Sequence, residues 1–401
     1  FGASRLGILL PLGLSFYTFQ ITGYLLDVHA GKTKPEQSLP RFVLFSSFFP
    51  QLIQGPIARY DQLAPQLRAP KDLDMDGLVR AALLVIYGLF KKMVIADRLA
   101  PLVSTVFDGT QLGAAALVGV LAYSAQQYCD FSGGIDISRG VSQILGIELA
   151  QNFRRPYFAT TINDYWRRWH ITLGAWMKEY VFYPIALSRR FTGVTKKIRA
   201  TKFGGTTFGA HVAKVLPTSF ASLIVFLLVG VWHGASWKYV AFGLWNGGVI
   251  MLSTLLEPAF LSVNKALKIR TESFFFRLFQ MGRTFLIVLV GYVFDIAPSF
   301  GAAMDMFAKM IARQDLRGAL ADISSFELTK KDYLVLILGV VLMFVVSLIQ
   351  EKNPDTTLRE LLDRKPFVLR YLLILTAIIV LLVFGIYGPG FNPAEFVYMQ
   401  F

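Results

Sequence analysis

The sequence VLPTSFASLIVFLLVGVW occupies residues 215–232 and contains no charged side chain. A second uncharged stretch, YLLILTAIIVLLVFGIY, occupies residues 371–387. A helix needs about 20 predominantly apolar residues to cross a hydrocarbon core about 30 Å thick, and both stretches approach that length. These two segments alone predict that the chain is embedded in a membrane.

Further apolar stretches extend this pattern along the chain. Hydrophobic residues make up 54% of the sequence and charged residues only 16%, whereas soluble domains carry about 25% charged residues. We therefore predict an all-α, multi-pass integral membrane protein of the cell membrane with about eight crossings. The other predicted spans are residues 6–26, 78–95, 112–128, 239–256, 278–294 and 333–349.

The organisation of the chain predicts one membrane domain over residues 1–401, because no internal repeat and no low-complexity linker divides it. Residues 42–56 are apolar but too short to span, and Pro50 and Pro56 interrupt them. This pattern favours a re-entrant or interfacial segment over a crossing.

The formal net charge of +14 could suggest a nucleic-acid partner. The basic residues, however, lie in short loops between apolar spans, where they normally mark the cytoplasmic side. We predict the bilayer and no nucleic acid as partner. Residues 189–202, which are basic without an acidic residue, are placed in the cytoplasm, and the charge-balanced residues 298–332 are placed outside.

Metal and cofactor motifs are not evident in the sequence. Cys129 is the single cysteine, and the four histidines form neither HExxH nor a closely spaced pair. The GxSxG, GxxxxGK[ST] and GxGxxG patterns are also missing, which weakens serine-hydrolase, nucleoside-triphosphatase and dinucleotide-binding interpretations. We predict no metal and no bound cofactor.

One candidate site lies in TINDYWRRWHITLGAWMK, residues 161–178. Helical spacing places several of its polar and aromatic residues, together with Gly174, on one face. The segment could be an interfacial helix whose tryptophans and arginines reach the headgroups. It could equally form the wall of a charged or cofactor-lining site. The candidate residues are Asn163, Asp164, Trp166, Arg167, Arg168, Trp169 and His170.

A second candidate is His233 in Gly-Val-Trp-His-Gly, which ends a long uncharged stretch. An ionisable group inside a membrane is functional by default, and histidine suits proton transfer near neutral pH. The alternative is a neutral imidazole bonded to a neighbouring helix. Gly230 and Gly234 permit close approach of another segment, and Trp232 adjoins the site. His29 and His211 are predicted to be solvated.

A third candidate is the pair Asp130 and Asp136, which surround Gly133 and Gly134. The carboxylates could orient a histidine or hold a substrate amine or hydroxyl. They could equally cap a helix that begins near Ile135.

Several motifs in this order resemble the membrane-bound O-acyltransferase family, and in particular its bacterial branch of alginate and peptidoglycan O-acetyltransferases and the protein that moves D-alanine onto lipoteichoic acid. The motifs are PLGLSFYTFQ from Pro11, FPQLIQGPI from Phe49, CDFSGG from Cys129, NFRRPY from Asn152, DYWRRWHITL from Asp164 and VWHG from Val231.

The resemblance implies a ring of tilted helices around a central tunnel, with His233 as the catalytic histidine and His170 as a second functional one. It implies an acyl donor on the cytoplasmic side, either acetyl-CoA or an acyl carrier protein, and an extracytoplasmic SGNH-type or similar acyltransferase as partner. It also implies that one or two helices precede Phe1.

From these expectations we take acetyl transfer to a hydroxyl as the leading hypothesis, with His233 as general base and with His170 and Arg167 or Arg168 polarising the carbonyl or holding the donor's phosphate. D-alanyl transfer to teichoic acid is the alternative within enzymes. A transporter or flippase with a histidine proton relay, and a catalytically silent scaffold, are the alternatives from other classes.

Overall fold

The computed structural model describes residues 13–72, 74–107, 114–312, 328–354 and 356–388, and these residues contain helices and no β-strand. The predicted all-α membrane architecture is confirmed. The first helices are α1 (Leu14–His29), α2 (Leu39–Ser46), α3 (Tyr60–Arg68), α4 (Met75–Leu89), α5 (Asp97–Phe107) and α6 (Ala114–Ile144). A π-helical segment, Phe90–Ala96, joins α4 to α5.

Short helices follow α6 and precede the longest apolar ones. They are α7 (Ile162–Arg168), α8 (Ile171–Met177), α9 (Tyr183–Ala186) and α10 (Arg189–Arg199), with a second π-helical segment, Lys178–Phe182, between α8 and α9. The remaining helices are α11 (Thr207–His233), α12 (Trp237–Leu255), α13 (Glu257–Ala266), α14 (Phe274–Ile296), α15 (Phe300–Ala312), α16 (Lys330–Lys352), α17 (Leu358–Asp363) and α18 (Phe367–Phe384).

Four helices, α11, α14, α16 and α18, are long and apolar enough to cross a membrane, and α12 with α13 forms a fifth candidate bent by 59°. These five correspond to the predicted spans from residue 215 onward. The predicted span 78–95 falls on α4 and the π-helical segment, where Lys91 and Lys92 are buried, and 112–128 falls on α6 apart from residues 112–113, which lie outside the described ranges. Neither α4 nor α6 is among the helices that are long and apolar enough to cross a membrane. The span 6–26 falls partly on α1, and its first residues lie outside the described ranges.

Helices α4 and α6 pack closely along their glycines. A Cβ atom on Gly133 would lie 2.9 Å from the carbonyl oxygen of Gly88, and a Cβ on Gly88 would lie 2.7 Å from that of Gly133. Helix α6 runs unbroken through Gly133 and Gly134, so the alternative that Asp130 and Asp136 cap a helix beginning near Ile135 is wrong. Gly133 permits the contact with α4, and a Cβ atom on Gly134 would lie 2.2 Å from Oε1 of Gln54.

Helices α11 and α12 form an antiparallel hairpin that presents His233 at its turn. A Cβ atom on Gly230 would lie only 2.2 Å from the carbonyl oxygen of Tyr239, and one on Gly243 only 2.5 Å from that of Phe226. Gly234 has a φ of 153° and ends α11 directly after His233. These glycines fix the position of the His233 backbone against α12.

Residues 42–56 form no membrane-crossing helix. They contain the end of α2 and a short 3₁₀ turn, Phe49–Gln51, and Gln51 and Gln54 are buried. Aromatic rings pack this segment into a small core of its own, in which Phe45 lies 5.0 Å from the ring of Tyr60.

Candidate active site

The backbone around His170 is a clamp between residues 152–154 and 168–171. The amide of Arg154 donates to the carbonyl of Arg168, and the amide of Ile171 donates to the carbonyl of Asn152, both at 2.9 Å. His170 itself has a φ of 47°, in the left-handed region that residues other than glycine rarely adopt. A side chain held in such a conformation by its surroundings is typical of functional sites.

The imidazole of His170 is buried and its tautomer follows from its neighbours. Its Nδ1 lies 3.2 Å from Oδ1 of Asn152, and that oxygen also accepts from the amide and the hydroxyl of Thr172 at 2.9 Å each. An oxygen can only accept, so we infer that Nδ1 of His170 donates and that Nε2 carries a lone pair. Among the described residues Nε2 has no hydrogen-bond partner.

Burial also keeps this imidazole neutral. Desolvation lowers the pKa of His170 to about 3, and the nearby His233 acts in the same direction. The edge of the His170 ring meets Phe131, with ring centroids 4.9 Å apart. At neutral pH His170 therefore presents a hydrogen-bond acceptor, not a donor, at Nε2.

His233 lies at the end of α11 in an aromatic setting, and 14% of its side chain is exposed. Its ring centroid is 5.1 Å from that of Trp232 and 5.5 Å from that of Phe242. Its Nδ1 is 3.6 Å from Oδ1 of Asp295 on α14, a carboxylate that is almost fully buried.

Asp295 is itself held from two sides. Its Oδ2 accepts a hydrogen bond of 2.9 Å from the hydroxyl of Tyr123, and its backbone carbonyl accepts one of 2.9 Å from Nζ of Lys238. The bond from Tyr123 holds one carboxylate oxygen, and the other oxygen faces His233. The arrangement of acid and imidazole is that of a histidine oriented for proton transfer.

Buried tyrosines and aromatic rings connect the two histidine segments. The hydroxyl of Tyr292 on α14 lies 2.8 Å from that of Tyr165 on α7 and 3.2 Å from that of Tyr157. Trp166 donates to Oδ1 of Asn246 at 3.2 Å and packs against Phe242, the ring that also contacts His233. The structure thus brings the two predicted histidine motifs into one region of the core.

The predicted single helix face over residues 161–178 is wrong, because the left-handed His170 separates α7 from α8. Asn163 and Arg167 are exposed, while Trp169 and His170 are buried. The predicted residues therefore divide between two environments. Only Trp166, Trp169 and His170 contribute to the buried region around the histidines.

Arg168 is engaged by carboxylates. Its Nε lies 3.0 Å from Asp164 and its Nη1 lies 2.9 Å from Glu351 at the end of α16, which also accepts from Nε of Arg155 at 2.7 Å. Because two acidic groups already balance this guanidinium, it is poorly suited to hold a donor phosphate.

The acidic pair of α6 belongs to a buried ion network. Asp130 lies 2.6 Å from Nζ of Lys92, which also contacts Asp97 at 2.8 Å, and Asp136 lies 2.6 Å from Nζ of Lys91. Neither aspartate caps a helix. Their charges are balanced by the π-helical lysines, which leaves less reason to expect them to bind a substrate amine.

Sequence reasoning missed Asn152, Asp295, Tyr123 and Glu351. Asp295 offered a signal, since it is an isolated carboxylate immediately after the predicted span 278–294, and such groups in membrane proteins are usually paired and functional. Asn152 begins the NFRRPY motif, but nothing in that motif indicates a bond to His170. Glu351 offered no signal, because its role depends on a contact with a distant part of the chain.

Comparison with known proteins gives consistent matches. Residues 35–203 match the model of the membrane-bound O-acyltransferase family, a range that includes His170 and ends before His233. The chain is 32% identical to a probable alginate O-acetylase of Azotobacter vinelandii over 86% of this chain and 62% of that protein.

Two further relatives carry different names. A peptidoglycan O-acetyltransferase of Helicobacter pylori is 32% identical over 76% of this chain and 58% of its own length. A teichoic acid D-alanyltransferase of Bacillus subtilis is 27% identical over 61% of this chain and 59% of its own length. The chain therefore spans less than two thirds of the length of these curated relatives.

Proposed function

Because this chain belongs to the membrane-bound O-acyltransferase family, we propose that it transfers an acyl group, in the leading hypothesis acetyl, from a thioester donor to a hydroxyl of a cell-envelope polymer. The observation that carries this proposal is the placement of Nδ1 of His233 opposite the buried carboxylate of Asp295. A carboxylate there stabilises the tautomer in which Nδ1 bears the proton, so that Nε2 can accept one.

In the proposed reaction, Nε2 of His233 takes the proton of the acceptor hydroxyl as its oxygen attacks the carbonyl carbon of the thioester. The tetrahedral intermediate then collapses, the carbon–sulfur bond breaks, and the departing thiolate takes the proton from Nε2. The products are an ester and a free thiol, and His233 returns to its neutral form. General-base catalysis of this kind typically contributes about 10²- to 10⁴-fold in rate.

For His170 we propose a positioning role in place of the polarisation of the carbonyl expected from the sequence. A neutral imidazole whose Nδ1 donates to Asn152 can only accept at Nε2. Suitable donors are the acceptor hydroxyl or an amide N–H of the thioester arm, which acetyl-CoA and acyl carrier proteins share. The left-handed backbone and the buried neighbours hold Nε2 in a fixed direction.

The topology of the reaction is part of the proposal. The donor reaches the site from the cytoplasmic side, and the acyl group leaves toward an extracytoplasmic polymer, directly or through an SGNH-type acyltransferase partner. Relatives named as alginate and peptidoglycan O-acetyltransferases support a polymer of the cell envelope as the final acceptor.

D-alanyl transfer to teichoic acid is the second candidate. The similarity to a teichoic acid D-alanyltransferase favours it. The acidic residues proposed to recognise an amine, Asp130 and Asp136, are however paired with Lys92 and Lys91. Acetyl transfer therefore remains the leading hypothesis.

The proposal is tested by replacing His233 with Ala in cells that depend on this chain and measuring ester-linked acetate and D-alanine on their envelope polymers. His29→Ala is the matched control, because His29 is exposed at the end of α1. Loss of acetate supports the leading hypothesis, and loss of D-alanine supports the second. If neither ester changes while the variant still inserts in the membrane, the role of His233 is refuted and the transporter and scaffold alternatives return.

A further inference from the structure

We propose that a basic surface groove formed by α2, α3, α9 and the segment between α1 and α2 binds the phosphate-bearing end of the acyl donor. This inference rests on the proposed function for the identity of the ligand, but its geometry is independent of the histidines. We call it the Lys32 groove, because Lys32 lies in both of its halves.

The Lys32 groove consists of two adjoining cavities with different linings. The first, of about 780 Å³, is lined by Tyr183, Pro184 and Leu187 in addition to Lys32 and Glu179. The second, of about 730 Å³, is lined by the polar and charged residues of the α1–α2 segment and of α3. One half is thus largely apolar with an exposed aromatic ring, and the other is ionic.

The ionic half has an excess of positive charge. Its cations are Lys32, Lys34, Arg41 and Arg68, and its acids are Glu36 and Asp61. Arg68 pairs with Glu36, and Lys32 pairs with Glu179 at 2.5 Å. In the described ranges no acidic side chain lies within salt-bridge distance of Lys34 or Arg41, which are both exposed. These two side chains are available to bind an anion.

Glu179 lines the apolar half and pairs there with Lys32, the residue that both halves share. Its hydrogen bonds with Arg59 and Lys32 lower its pKa to about 2, so it is ionised at neutral pH. Arg59 also lies over the ring of Tyr180, at 5.5 Å from the centroid. Because this carboxylate already pairs with Lys32 and Arg59, a phosphate is favoured in the ionic half near Lys34 and Arg41.

The Lys32 groove is connected to the candidate active site by a short stretch of chain. Tyr60 lines the groove, and the amide of Ile57 donates to the hydroxyl of Thr172 at 3.0 Å. Three residue steps separate Tyr60 from Ile57, which is at most roughly 11 Å. The hydroxyl of Thr172 bonds the same Asn152 oxygen that holds His170. A ligand in the groove therefore lies next to the segment that supports His170.

The groove also adjoins the part of the chain predicted to face the cytoplasm. Leu187 lines its apolar half and precedes α10, which carries Arg189, Arg190 and further basic residues without an acidic one. Positive residues of this kind mark the cytoplasmic side. This is the side from which a soluble thioester donor arrives.

The ligand class follows from the two halves together. Lysine and arginine bind phosphate oxygens through charge-assisted hydrogen bonds, and the exposed Tyr183 ring suits a planar group. Acetyl-CoA offers phosphates next to a planar base, whereas an acyl carrier protein offers the phosphodiester of its thioester arm. Phosphate recognition is the chemistry that both donors share.

The test uses coenzyme A as the probe and the purified full chain in lipid nanodiscs, with affinity measured by calorimetry at low and high salt. The double variant Lys34→Ala/Arg41→Ala is expected to weaken binding at least tenfold and to reduce its salt dependence. The control, Lys330→Ala/Lys331→Ala, removes two exposed lysines at the start of α16 and is expected to bind as the unsubstituted chain does.

Further arms separate the two sources of phosphate and keep this proposal distinct from the proposed function. If 3′-dephospho-coenzyme A binds more weakly than coenzyme A, the groove recognises the 3′-phosphate. If a holo carrier protein binds, coenzyme A does not, and the double variant weakens the binding of the carrier protein, the groove recognises the phosphodiester of the thioester arm. Since coenzyme A carries no acyl group, its binding is measured whether or not transfer occurs. Affinity for both probes that is unchanged by the double variant overturns the proposal.

Discussion

The Nδ1 atom of His233 lies 3.6 Å from Oδ1 of Asp295, and the second carboxylate oxygen accepts a hydrogen bond from Tyr123. The separation is longer than a hydrogen bond, but catalytic contacts often tighten only when substrate is bound. This contact connects the end of α11 to α14 and orients the imidazole of His233 toward the carboxylate. In the proposed mechanism, Asp295 is the residue on which the activity of His233 depends.

Asp295→Asn is therefore expected to lower kcat by about 10²- to 10⁴-fold with little change in KM, because the amide keeps the shape but no longer stabilises the productive tautomer and its protonated form. The rate of ester formation in membranes measures this. Asp305→Asn, which changes an exposed acid on α15, is the control. A kcat equal to that of the control would show that Asp295 only supports packing.

The five spans from residue 215 onward could be predicted from the sequence because they depend on local composition, whereas the roles of His170 and His233 stay predictions. The helix break at His170 was not predictable, because the apolar and polar residues on both sides of it keep a helical period. The left-handed turn is imposed by backbone hydrogen bonds to residues 152–154. The Asp295 contact joins helices distant in sequence, and the pairing of Asp130 with Lys92 depends on the approach of α4 to α6.

The buried His170 predicts a particular pH dependence of stability. Its pKa is about 3 in the folded chain and near 6.5 when unfolded. Between these values the unfolded chain binds more protons, so stability is fully present above pH 6.5 and falls as the pH drops toward 3. The loss is at most about 1.4 kcal/mol per pH unit.

Replacing His170 with Gln removes this titration, so the fall in Tm between pH 7 and pH 5 is expected to be smaller in the variant. Thermal unfolding of the purified chain at several pH values measures the difference. His29→Gln, at an exposed site, is expected to retain the original slope. Equal slopes for all three proteins would mean that His170 is not buried as a neutral group.

Gly230 predicts a steric requirement of the α11–α12 hairpin. A Cβ atom there would lie 2.2 Å from the carbonyl oxygen of Tyr239, which must force the helices apart. We expect Gly230→Ala to destabilise the chain by about 1–3 kcal/mol and to reduce activity by displacing His233. Gly248→Ala on α12 meets nothing within 4 Å and should be neutral. Tm and activity values that match for the two variants would contradict this explanation.

Glu351 is predicted to support the His170 clamp from α16. Glu351→Gln leaves the partly buried Arg155 and Arg168 without their shared carboxylate, which is expected to cost about 3 kcal/mol and to lower activity through His170. Thermal unfolding and the rate of ester formation are the measurements. The exposed Glu272→Gln is the control, and a Tm for Glu351→Gln equal to that of the control would exclude the supporting role.

The most direct test of the central claim is the initial rate of acyl ester formation in membranes from cells that depend on this chain, compared between the unsubstituted protein and His233→Gln at equal amounts of inserted protein. With His233 as the general base, the rate is expected to fall at least about 100-fold. A rate within twofold of the unsubstituted protein would contradict the assignment of His233 and with it the proposed mechanism.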